Sequence, residues 1–384
     1  MTPTYEGYIP PRDTWERRDA LTLGVDQQAL DRAVEFAIEN EINWPVDLRK
    51  ADVSQDVPEW PAKLGPFKDR GAPSGVVVKD GYIIAEWGDI DRVDLTFSAT
   101  KSYISALVGL AVDRGLINST IDRVVDYEAD KSIKMDATGE RIDGFDTDQN
   151  HLITWKHLLQ QTSEWKGTLY TKPDTVDWNR DLTSVGMSQR VNRIRQERER
   201  PGRHWEYNDV RVNRIALALL GVWEEPLPDV LKREIMDPIG ASESWEWHGY
   251  GNHSLVNVDG LVTESVSGGA HWGGGLWIST LDHARFGLLF LRRGQWNGQQ
   301  LISKSWIDEM TVPCALNDQY GYMWWLNTGQ GRYGRYASES TFAASGAGGN
   351  SVVVDPERNL VLVARWCQDV PGIVDLVAQA VPDR

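Results

Sequence analysis

The chain has 384 residues, with 56 acidic against 40 basic side chains and a formal charge of −16 at neutral pH. Its 41% hydrophobic and 25% charged residues are globular proportions, which excludes intrinsic disorder and allows two lobes, or one domain carrying an insertion. An acidic surface repels phosphate backbones and anionic head groups, so neither nucleic acid nor membrane is expected as a partner.

The two cysteines, Cys314 and Cys367, make neither a disulfide framework nor a C-x-x-C site. The first residues lack the basic and apolar segments of a secretory leader, and no eighteen apolar residues run together. A cytoplasmic protein is expected.

From the N-terminus, a Pro-rich arm to about Asp19 precedes a helix capped by Asp26, with an apolar stripe at Leu30, Ala33, Val34, Ala37 and Ile38. Val76–Val78 and Tyr82–Trp87, split by Asp80-Gly81, predict a β-hairpin with a type I′ turn. Helical periodicity then dominates residues ~98–250: Ser98–Arg114, Thr154–Gln161, Asp181–Arg200, Asp209–Trp223 and Leu227–Met236. The Arg-rich run 190–203 interleaves with Glu197 and Glu199 and reads as a solvated helix face. A second hairpin, Asn350–Val354 and Leu360–Trp366, and a closing helix through Ile373, Val377 and Val381 end the chain. Strands at both ends and helices between predict an α+β fold: a mostly antiparallel sheet flanked by helices, with an inserted all-helical lobe. The boundaries expected are 1–97 with 255–384 for the sheet lobe and 98–254 for the helical one, the active site at their junction.

The seven histidines form no metal-binding pattern, and neither a P-loop, a dinucleotide fingerprint nor a G-x-S-x-G elbow is present, so no metal or cofactor is expected. What remains is Ser98-Ala-Thr-Lys101. Three residues apart on a helix, the hydroxyl and the amine share a face. The helix behind them is apolar almost all round, so Lys101 should be buried and, by desolvation, shifted toward a neutral proton acceptor. Ser98 sits at the positive end of the helix dipole, where an oxyanion is stabilised.

A second S-x-x-K, Ser163–Lys166, has no such helix behind it and reads as loop. Tyr207 lies where a Pro-Gly turn leads into the next helix. There a phenol can enter a cleft and, beside Lys101, accept the serine proton; packing at a helix entry is an equal reading for it. Ala344-Ser345-Gly346-Ala347 offers a small-residue strand edge with exposed N–H groups. Trp165, Trp272, Trp277, Trp324 and Trp325 are candidates for an acyl pocket capped by Tyr170, against the more general reading that tryptophans fill cores.

In order, Phe97-Ser98-Ala-Thr-Lys101, Tyr207-Asn-Asp209, Gly273-Gly-Gly-Leu-Trp and Ala344-Ser-Gly346 resemble the serine β-lactamase-like hydrolases. The resemblance is to their class C-type branch, with family VIII carboxylesterases and 6-aminohexanoate-dimer hydrolases, and it runs from about Leu21 to the C-terminus. It implies the β-lactamase/transpeptidase-like fold, Ser98 as acylated nucleophile, Lys101 as its proton partner and Tyr207 as general base. The backbone N–H groups of Ser98 and Ala347 map to its oxyanion hole. Asp209, Tyr170, Ala344, Ser345 and Gly346 are the substrate-binding candidates.

Two positions depart from the family pattern. Asp209 stands where an amide is usual, and Ala344 where penicillin-recognising members carry a lysine. Without that cation a substrate carboxylate loses a contact of roughly 1.5–3 kcal/mol, so a small neutral or weakly polar ester or amide is the expected substrate. The expectation is a serine hydrolase working through an acyl-enzyme. An acyltransferase or DD-peptidase of the same fold, and a non-catalytic ligand sensor, are the alternatives.

Overall fold

The structure is a computed structural model that describes residues 7–51, 63–127, 136, 141–178, 197–258, 260–270 and 272–382. Strands β1 (Ser74–Lys79) and β2 (Tyr82–Trp87) pair antiparallel with Lys79 opposite Tyr82. The two-residue loop between them has both residues at positive φ, 54° at Asp80 and 91° at Gly81, as a type I′ turn requires. From the far end of the chain come β3 (Trp325–Leu326), β4 (Phe342–Gly346), β5 (Asn350–Asp355) and β6 (Leu360–Arg365). They join the first hairpin through β6 and β1 in one six-stranded sheet of order β3-β4-β5-β6-β1-β2, antiparallel throughout.

Alternate residues of each strand enter two separate cores. Val76, Val78, Val352, Val354, Val361 and Val363 belong to the larger one. Val77, Val353, Leu362 and Ala364 face the other, beneath α1 (Gln27–Glu39) and the last helix (Val370–Ala380), which pack on each other. Each fully buried valine or leucine stabilises by about 1.5–3 kcal/mol, so burial on both faces explains the near-continuous apolar runs. Helix α1 begins at Asp26, whose side chain accepts from the Ala29 N–H at 3.1 Å. Its buried stripe is Ala29, Leu30, Ala33 and Ala37, whereas Ile38 is exposed.

On the opposite face α2 (Thr100–Asp113) is buried from Thr100 to Ala111 and packs against α3 (Asp209–Trp223), buried almost throughout. Leu227–Leu231 is α-helical and then loosens into a π-turn over Lys232–Met236. Short strands Thr168–Leu169, Lys172–Pro173 and Glu246–His248 interrupt a stretch that periodicity reads as helical. The helix expected at Asp181–Arg200 falls outside the described residues except for 197–200, which are not helical. Among the described residues no helix is long and apolar enough to cross a membrane, and no cluster of three His, Cys, Asp or Glu residues is arranged to hold a metal.

Candidate active site

The site begins with a strained turn. Asp94–Leu95 pairs with Gly275–Ile278, and the chain then passes through Phe97 at φ 48° into a 3₁₀ turn, Phe97–Ala99, that feeds α2. A left-handed conformation is unfavourable for a bulky aromatic residue. It is held because the Phe97 ring is buried edge-on against Trp44 and Trp366, at 5.7 and 6.4 Å between centroids.

Two glycines from elsewhere in the chain clamp the same turn. A Cβ on Gly269 (φ 80°) would lie 2.0 Å from the Phe97 carbonyl oxygen, and one on Gly346 would lie 2.0 Å from the Thr96 carbonyl oxygen. Thr96 Oγ1 lies 2.7 Å from His283 Nε2, and the other ring nitrogen lies 2.9 Å from the Tyr103 hydroxyl. Complete burial holds the His283 imidazole well below its ordinary range, so the ring is neutral and bridges two hydroxyls.

Ser98, 8% exposed, is thereby presented at the start of α2, and Lys101 follows one turn later at 1%. Lys101 Nζ donates to Ser98 Oγ at 2.7 Å and to the Gly268 carbonyl at 3.4 Å. It also ion-pairs with Asp209 Oδ1 at 2.7 Å, both side chains being buried. This contact opposes the desolvation on which the expectation of a neutral amine rested. Desolvation alone favours the uncharged form, whereas a carboxylate in contact favours the ammonium.

Asp209 owes its position to the first turn of α3, where Asn208 caps the helix by accepting from the Arg211 N–H at 3.1 Å. The Asp209 N–H donates to Asp177 Oδ2 at 2.6 Å. Arg211 binds the same loop to α3 through Glu164 (2.9 Å) and Asp174 (3.0 Å), and Arg198 adds a second contact to Asp174 at 2.7 Å. Within the Arg-rich run, therefore, Arg198 is a structural tie rather than part of a solvated face. Ser163–Lys166 lies in that loop, with Lys166 exposed.

Tyr207 is 3% exposed, and Lys101 Nζ lies 4.8 Å from its ring centroid. Its ring stacks on Trp325 at 5.7 Å and 24°, and Tyr320 and Trp205 complete an aromatic cluster. Of the five tryptophans offered for an acyl pocket, Trp165, Trp272, Trp277 and Trp324 are wholly buried in the cores. Trp325 alone of the five packs on Tyr207, and Trp205 joins it unforeseen. Tyr170, at φ 51°, meets the edge of Tyr250 at 5.9 Å. It touches the centre only at a remove, since Tyr250 accepts from Asn213, Asn213 accepts from the Gly268 N–H, and Gly268 receives Lys101.

Strand β4 borders Ser98. Its partner β3 covers only Phe342 and Ala343, leaving the outer edge of Ala344, Ser345 and Gly346 without a paired strand among the described residues. The Cβ position of Gly346 is 3.0 Å from the Ser98 nitrogen, which sets the end of this edge and Ala347 beside the Ser98 turn. Ala344 is packed into the larger core. Ser345 Oγ accepts from Ser351 Oγ at 3.1 Å and lies 3.4 Å from the Tyr333 hydroxyl. Sequence reading missed Asp177, Gly268 and the Gly269 clamp, none of which belongs to a recognisable local pattern.

The fold has counterparts in known proteins. Among solved structures, a candidate beta-lactamase from Bacteroides dorei is 14% identical with a TM-score of 0.60, covering 93% of this chain and 99% of that one. A candidate 6-aminohexanoate-dimer hydrolase from Bacillus anthracis is 13% identical, TM-score 0.53, covering 97% and 96%. A family VIII carboxylesterase is 16% identical, TM-score 0.54, covering 80% and 91%. At these identities the likeness is one of fold. The beta-lactamase family model matches residues 91–375, from just before the Ser98 turn into the last helix, and the chain belongs to that family.

Proposed function

We propose that this protein hydrolyses a small ester or amide through an acyl-enzyme formed on Ser98. The observation that carries the proposal is the buried Lys101 Nζ, 2.7 Å from both Ser98 Oγ and Asp209 Oδ1. Because Lys101 donates to Oγ, it stabilises negative charge as it develops there, and the hydroxyl proton is left for another acceptor. Tyr207, entering the step as the phenolate with Lys101 over its ring, takes that role.

Ser98 Oγ bonds to the substrate carbonyl carbon while the carbonyl electron pair moves onto oxygen, held by the N–H groups of Ser98 and Ala347. The hydroxyl proton passes to Tyr207. Collapse breaks the bond to the leaving alcohol or amine, which takes the proton from Tyr207. Water then attacks the acyl-serine, giving a proton to the regenerated phenolate of Tyr207, and that proton returns to Ser98 Oγ as the acid departs. The unpaired edge of Ala344–Gly346 supports the reading by offering backbone groups along which an acyl chain can lie.

The test is labelling with a fluorophosphonate followed by peptide mapping, beside turnover of short-chain nitrophenyl esters. The expected result is a label on the Ser98 peptide alone and loss of turnover in Ser98→Ala. A label elsewhere, or equal turnover by Ser98→Ala, would refute the proposal.

A further inference from the structure

One buried cation lies outside the reacting groups. Arg365, the last residue of β6, is 1% exposed, and no carboxylate among the described residues is within ion-pair distance of it. Burial pushes its pKa down to about 10, which leaves the guanidinium charged at neutral pH. For packing alone, a buried charge without a counter-ion is an unfavourable choice. What a guanidinium adds is a rigid fork of donors, and here the fork joins three segments of the chain.

Nη2 donates to the carbonyls of Asp94 and Leu95 at 3.0 and 3.1 Å, and Nη1 donates to that of Ile278 at 2.9 Å. The first two lie on the strand that runs into the Ser98 turn, and the third lies on its partner. Nε donates to Asn350 Oδ1 at 2.6 Å, and Asn350, fully buried, donates from Nδ2 to the Ala347 carbonyl at 2.7 Å. By strand alternation Asn350 and Arg365 share the sheet face of Val352, Val354, Val361 and Val363, where α2 and the Ser98 turn sit.

The chain crosses from β4 to β5 in three residues, Ala347-Gly348-Gly349, with both glycines left-handed at φ 75° and 70°. Such a turn has little stiffness of its own. Gly346 presses its start against Ser98, and Asn350 fixes the Ala347 carbonyl, so Ala347 is held from both sides. Trp366 repeats the link. Its indole donates to Asp94 Oδ2 at 2.9 Å, and a Cβ on Gly348 would lie 2.8 Å from its ring.

We propose that Arg365 and Asn350 are positioning residues that keep the Ala347 turn in register with the Ser98 turn, so that the two backbone N–H groups converge on one oxyanion. The inference deepens the acyl-enzyme reading and rests on it for its place in the reaction, but the tie between the two turns is measurable without it.

The experiment uses Asn350→Asp, which keeps an acceptor for Arg365 and removes the donor to Ala347, with Asn350→Ala beside it. Nitrophenyl butyrate is compared with its thiono counterpart, in which sulfur replaces the carbonyl oxygen. Sulfur is the weaker acceptor on a longer bond, so donors fitted to oxygen favour the oxygen ester, and donors that no longer converge favour it less. In both variants kcat for the oxygen ester falls at least about tenfold with little change in KM, and the oxygen-to-sulfur ratio of kcat/KM falls at least about fivefold. Both esters meet the same folded fraction, so the ratio does not report stability. An unchanged ratio, whether or not kcat falls, overturns the positioning role while Ser98-dependent turnover stands.

If the wild type cleaves neither ester, the acyl-enzyme reading fails and the tie is judged by amide hydrogen exchange in residues 345–350 of the full chain. Exchange at least tenfold faster in Asn350→Asp than in the wild type, relative to α3, upholds the tie. Equal exchange overturns it.

Discussion

Replacing Asp209 tests whether Lys101 works as a paired ammonium. Asp209→Asn removes the charge but keeps an acceptor of the same shape 2.7 Å from Nζ, whereas Asp209→Ala removes both. A hydrogen bond to a charged group contributes about 1.5–3 kcal/mol against about 0.5–1.5 for a neutral one, so Asn should cost on the order of 1–2 kcal/mol of folding stability. Ala strands a buried ammonium, for which about 3–5 kcal/mol is typical. Ser98 Oγ and the Gly268 carbonyl remain as acceptors, which places Ala at the lower end of that range.

Urea unfolding should rank the proteins wild type, Asn, Ala in falling midpoint. The pH–rate profile of ester hydrolysis is the second readout. Without the carboxylate the ammonium gives up its proton more readily, so the alkaline limb should move to lower pH in Asp209→Asn. Equal midpoints together with superimposed profiles would refute the ion pair as a working element.

Gly346→Ala drives a methyl group into the Thr96 carbonyl oxygen, which cannot rotate away. The Ser98 turn must shift, and fluorophosphonate labelling of Ser98 should slow at least about 100-fold, as misplacement by an ångström costs in a preorganised site, with retention of the far-UV circular dichroism. His283 gives a pH prediction. Its ring is held neutral when folded but takes up a proton near 6.5 when unfolded, so the unfolded chain binds more protons below that pH. Stability should fall by up to about 1.4 kcal/mol per pH unit on acidification below 6.5. His283→Gln, less stable at neutral pH, should show a shallower slope over the same window in urea titrations.

Much of the site was legible because it is local. A hydroxyl and an amine three residues apart on a helix share a face wherever that helix ends up, so Ser98 and Lys101 could be paired from spacing alone. The Asp80-Gly81 turn and the Asp26 cap are likewise decided by the few residues that form them, and strand alternation reports burial on both faces. The reading of Lys101 left out its Asp209 partner because burial is visible in an apolar helix, while the identity of its neighbours is not. The Arg198 tie was missed for the same reason.

Only the tertiary structure brings Asp209 to Lys101, Gly346 and Gly269 against the Phe97 turn, and Arg365 to the strand that leads into it. Each of these contacts joins segments far apart in the chain, and their meeting depends on the order of strands in the sheet and on how α3 packs against α2. A periodic pattern specifies which face of an element is buried; which residue stands opposite is decided by the packing of the other elements.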